Sequence, residues 1–82
     1  MAALRGQPDA QVLMGAFYEN GAPNILKDLI MAHMWYNIAS SNGVIKAKQK
    51  RDNLEAGMPP ADVSEAMRKA NVCLKSKYKS CD

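Results

Sequence analysis

Glycine and proline interrupt this chain at three places: Gly21 with Pro23, Gly43 alone, and Gly57 with Pro59 and Pro60. The stretches between these breaks are rich in alanine and methionine, which favour helix, and they lack the long runs of Val, Ile and Thr that announce strands. The punctuation therefore predicts an all-α fold of about four helices. The first is expected from about Pro8 to Asn20, with Pro8 in its first turn and Gly21 as the left-handed residue just past its end. Ala22, Pro23 and Asn24 make the following loop. Asp28 can cap the free amides of a second helix that runs to about Asn42 and stops at Gly43.

In that second helix Leu29, Ala32, Trp35, Tyr36, Ile38 and Ala39 recur at three- and four-residue intervals, which predicts one apolar stripe. The third segment, about Ile45 to Ala56, offers only Ala47 and Leu54, with Ile45 and Met58 flanking, among Lys46, Lys48, Lys50 and Arg51. It reads as a weakly amphipathic helix. Pro60 can open a fourth helix, ending near Lys77, with Val63, Ala66, Met67, Ala70, Cys73 and Leu74 on one side.

A chain of 82 residues with 48% hydrophobic and 23% charged residues is globular in composition. A domain of that size buries only roughly 60 to 65% of its unfolded surface, so its core is thin. Five aromatics leave much of the packing to small side chains. The charge is uneven: residues 1–43 carry two basic and three acidic residues, residues 44–82 nine basic and five acidic. Residues 44–56 contain no aromatic to stack on a base, so the Lys46 to Arg51 run reads as a solvated face and no nucleic-acid partner is expected. No stretch approaches the ~20 apolar residues needed to span a bilayer, so no membrane insertion is expected, and the first residues lack the order of a signal peptide.

Small residues recur in order along the chain. Ala2, Gly6 and Ala10 return 37 residues later as Ala39, Gly43 and Ala47, and Asp28, Ala32 and Ala39 have counterparts 34 residues later in Asp62, Ala66 and Cys73. Stacked helix pairs need such spacing, because alanine and glycine let backbones approach closely. Ala10, Met14, Gly15, Tyr18 and Gly21, then Asp28, Ala32, Trp35, Tyr36, Ala39, Ser40, Gly43 and Ala47, resemble the two halves of a Sel-one-like repeat, a relative of the tetratricopeptide repeats. One full repeat is matched at about residues 10–47. Residues from about 45 to 78 are similar to the degenerate helices that cap such arrays, and residues 1–82 read as a single repeat domain.

Three departures stand out: Met14 for the usual leucine, Ser40 for the second alanine, and a different loop from Ala22 to Leu26. The resemblance implies a short α/α superhelix of antiparallel helix pairs, a tetratricopeptide-like solenoid whose concave side holds protein or peptide partners. It implies no catalysis, cofactor or metal. Ala2 to Gly6 look like the tail of a preceding helix, and two helix pairs are fewer than the roughly three repeats such stacks usually need. The chain is thus expected either to be a C-terminal piece of a longer protein or to complete its core as a homodimer through the N-terminal helix face.

The expected function is a protein-interaction scaffold that binds through the first-helix face and the loop from Gly21 to Lys27, with Gln11, Phe17, Glu19 and Asn20 as the residues to test. A second reading is a purely structural C-terminal cap. A third is a small thiol-dependent enzyme using Cys73, Cys81 or His33. His33 is the only histidine, beside the apolar stripe, and reads as an ordinary helix-face residue. Tyr18, Trp35 and Tyr36 read as core before they read as a groove.

Cys73 and Cys81 would lie about 12 Å apart on a continuous helix, beyond the ~7 Å a disulfide tolerates, so a bridge needs the chain to turn back. Cysteine-rich relatives of the repeat family carry pairs with this seven-residue gap, which implies a disulfide and an oxidising compartment such as the bacterial periplasm. Free thiols, with Cys73 simply buried, remain the alternative, and they suit the cytoplasm equally.

Overall fold

A computed structural model of the chain describes residues 7–81. These form four helices: α1 (Pro8–Asn20), α2 (Leu29–Ser41), α3 (Ile45–Glu55) and α4 (Pro60–Lys75). The expected helix tail at Ala2, Ala3 and Gly6 lies outside the described residues. Each boundary has a local cause. Proline occupies the first turn of α1 and of α4, where its missing N–H costs nothing. At the start of α2 the Asp28 carboxylate accepts from the amides of Ile30 and Met31 at 3.0 and 3.2 Å. Between α1 and α2, the Ile25 amide donates to the Ala22 carbonyl at 2.9 Å. Pro23 precedes Asn24, whose φ is 68°, which is the signature of a type II turn.

Every other helix packs against α2. α1 and α2 run antiparallel, since Gln11 meets Asn42 while Glu19 meets Tyr36. α2 and α3 are antiparallel as well, because Asn37 pairs with Arg51 and His33 with Glu55. α3 and α4 lean on α2 more than on each other. The radius of gyration, 11.2 Å, is close to the roughly 12 Å of a compact chain of this length.

The single apolar stripe expected on α2 is two stripes. Met31, Met34, Trp35 and Ile38 face Ala70, Cys73 and Cys81, with Met14, Tyr18, Leu74 and Tyr78 around them. Ala32, Tyr36 and Ala39 face Val12 and Ala47, flanked by Tyr18, Val44 and Leu54. Trp35 and Tyr36 are adjacent in sequence yet belong to different clusters. With neighbours on three sides, α2 keeps only a narrow outer face at half-buried Ile30 and Asn37 and exposed Ser41, and six consecutive residues, Met31 to Tyr36, are buried.

Gly15 explains how α1 comes so close. A Cβ built there would lie 2.5 Å from Cδ1 and Cε1 of Tyr36, so the ring rests on the bare backbone of α1. On α4, Ala66, Ala70 and Cys73 are buried at alternating three- and four-residue steps, Val63 and Leu74 are half-buried, and Met67, expected on the same side, is exposed.

α4 stops at Lys75 and the chain turns back, bringing Cys73 and Cys81 together in a disulfide with a Cα separation of 4.4 Å. The continuous-helix geometry that would keep them apart does not arise. The bridge joins the end of α4 to the last described residue and sits inside the first cluster.

Candidate interaction surface

α2 takes up one side of α1 and leaves the other to solvent. On that outer side Leu13 and Phe17 lie one turn apart and are 56% and 42% exposed. Beside Leu13 is a hollow of about 300 Å³ walled by Asp9, Val12, Leu13, Val44 and Lys46. Its floor is apolar, and an acid and a base stand on its walls. Ile45, between two of the wall residues, is 76% exposed. Exposed apolar side chains beside a concave wall, with charge at the margin, are the ordinary makings of a docking surface.

The four residues singled out on the first-helix face are placed differently from one another. Phe17 is part of the exposed row. Asn20 is exposed, and its side-chain amide donates to the Ala16 carbonyl at 3.1 Å. Gln11 is fully buried and its Oε1 accepts from Asn42 at 3.0 Å, so it offers no surface to a partner. Glu19 accepts the Tyr36 hydroxyl at 2.6 Å and is tied to the core through it. Burial and, after it, that hydrogen bond with the carboxylate hold the Tyr36 phenol well above the usual tyrosine range. Leu13 is the residue that sequence reasoning missed. A signal existed: Leu13 and Phe17 are spaced four apart, while the buried Val12 and Gly15 already account for the core side of α1.

The loop from Ala22 to Asp28 presents Leu26, which is 88% exposed. Among the structural repeat positions, Ala32, Trp35, Tyr36, Ala39 and Ala47 are at most 1% exposed, Gly15 is buried, and Ala10 and Tyr18 are half-buried. Gly21 and Gly43 both have positive φ, at 79° and 97°.

The basic run on α3 is only partly a solvated face. Arg51 donates to Asn37 Oδ1 at 2.7 Å, and the Lys50 ammonium stands 5.9 Å from the centre of the Tyr36 ring. Lys46 is on the hollow, and Lys48 is exposed. His33 is not on an open helix face. It is fully buried, with Nε2 at 2.8 Å from Glu55 Oε1, so it fastens α2 to α3.

No free cysteine occurs among the described residues, and no group of three or more His, Cys, Asp or Glu there is placed to hold a metal ion. No described helix is long and apolar enough to cross a membrane. A scan of protein-family models and a search of curated proteins both find no match to this chain.

Proposed function

We propose that this chain is a non-catalytic protein-interaction module of the Sel-one-like repeat kind, which holds a peptide segment of another protein against the outer face of α1. The observation that carries this is the exposed pair Leu13 and Phe17 on α1, the first of which walls the apolar hollow between α1 and α3. Two further features support the repeat reading. The α1–α2 pair is antiparallel, and the bare backbone of Gly15 lies against the buried ring of Tyr36, two residues that match the family's pattern. Its second helix is capped by the aspartate at position 28.

Selection of a displayed peptide library on the immobilised chain tests the proposal. Enriched peptides should share a motif and lose at least roughly tenfold in affinity, about 1.4 kcal/mol, against a Leu13→Ser/Phe17→Ser variant whose thermal melt is unchanged. No shared motif, or equal binding to the variant, sinks it. Light scattering at several concentrations separates the other occupant. A dimer that the same double substitution dissolves would mean that a second copy, not a foreign peptide, covers this face.

A further inference from the structure

Residues 76–81 cover one end of the core by a path that the backbone does not favour. The Tyr78 amide donates to the Cys73 carbonyl at 2.8 Å and the Lys77 amide to the Leu74 carbonyl at 3.1 Å, which together make the Schellman closure of α4. The closure puts its left-handed residue where glycine is normal, because a Cβ is crowded there. Here that residue is Lys77, with φ 55°, and Tyr78 after it is also left-handed, with φ 67°. Two successive non-glycine residues in this region persist only where their surroundings hold them.

What holds them is limited. Lys77, Lys79 and Ser80 are exposed and bury little. The Tyr78 ring packs against the first cluster, and its hydroxyl accepts from Asn42 at 3.1 Å. The Ser76 hydroxyl donates to the Cys73 carbonyl and accepts from the Ser80 amide. The Lys79 amide adds a bond to the Ser76 carbonyl at 3.3 Å, and the remaining anchor among the described residues is the covalent bond from Cys73, fully buried, to Cys81, 5% exposed.

We infer that the Cys73–Cys81 disulfide is a redox latch: it holds a strained C-terminal strap over the core, and a dithiol reductant releases the strap while the remaining helices stay folded. One thiolate of the reductant attacks the sulfur of Cys81, the more exposed cysteine. The S–S bond breaks, and Cys73 leaves as a thiolate that takes up a proton. The reductant's second thiol then displaces Cys81 as a thiol and leaves as the oxidised disulfide. The strain at Lys77 and Tyr78 is then opposed only by the Tyr78 ring and by hydrogen bonds at the solvent margin, so the strap opens and uncovers the Trp35 cluster at that end.

Hydrogen exchange on the oxidised chain and on the chain reduced with dithiothreitol tests this, with emission from Trp35, the only tryptophan, as a second readout. On reduction, amides 77–81 should exchange at least roughly tenfold faster and Trp35 emission should move to the red, while α1, α2 and α3 keep their protection. A Cys73→Ser/Cys81→Ser variant should behave as the reduced chain without reductant. Lys77→Gly, which relieves the strain, should stay closed after reduction. Unchanged exchange in the strap overturns the latch. Loss of protection throughout α1 to α3 also overturns it, because the bridge would then staple the whole fold. A Lys77→Gly chain that opens as readily as the parent removes the strain on which the latch depends.

Discussion

α2 and α3 are neighbours of similar length and opposite character. Eight of the thirteen residues of α2 are buried, and of the eleven in α3 only Ala47 is. α3 is attached by Ala47 in the core, by half-buried Leu54 packed beside it, and by polar contacts at its margin through Glu55, Arg51 and Lys50. Burial therefore follows the number of neighbours an element has more than its helical propensity, and tertiary packing supplies most of a helix's stability. α2 is the part of the molecule that a substitution should hurt most, and α3 the part that should tolerate it.

The largest expected effect is at the centre of α2. Trp35→Ala should cost about 3 to 5 kcal/mol by denaturant titration, because it empties a site that is 1% exposed. The indole N–H has no partner among the described residues, so the loss is one of packing. A cost under about 1 kcal/mol would mean that α2 is not the centre of the fold.

Gly15→Ala should cost about 1 to 3 kcal/mol, since the added methyl meets the fully buried Tyr36 ring and the clash outweighs the ~1 kcal/mol helix gain over glycine. A neutral or stabilising result would show that α1 can draw back from α2.

Tyr36→Phe should cost about 1 kcal/mol near neutral pH by removing the hydrogen bond to Glu19. Because the folded chain holds this phenol protonated beyond the unfolded tyrosine range, its contribution is complete below about pH 10 and is lost as pH rises toward the folded value. Alkaline melts of the parent should therefore fall more steeply than those of the phenylalanine variant. Parallel curves would contradict the coupling.

Smallest of all, Lys48→Ala on the exposed side of α3 should stay within about 0.5 kcal/mol of the parent. A larger change would mean that α3 carries interactions its burial does not reveal.

Helix boundaries were the most legible feature, because their causes are local. Asp28 caps whatever follows it, proline is tolerated in a first turn, and Gly21 and Gly43 can take positive φ without a Cβ penalty. The surface was read less well. Gln11 looked like a polar residue on an open face, yet its partner is Asn42, thirty-one positions away. His33 looked like an edge residue of the stripe, and its partner Glu55 is twenty-two positions away. Leu13 escapes a reading from sequence because an apolar residue on a helix is ordinarily assigned to the core.

Local chemistry in the sequence by itself determined that residues 7–81 form four helices, where those helices begin, and where α1 and α2 end, whereas α4 stops at Lys75 short of the expected Lys77. Only the tertiary structure decided that α2 sits among the other three, that its one apparent stripe serves two clusters, and that Leu13 and Phe17 are left outside. It also decided that the chain turns back at Lys77 to bring Cys81 to Cys73, which needs left-handed backbone at residues with no intrinsic preference for it. The physical reason is range: caps and breakers act within a turn of the chain, whereas burial and cross-links depend on which distant residues arrive at the same place.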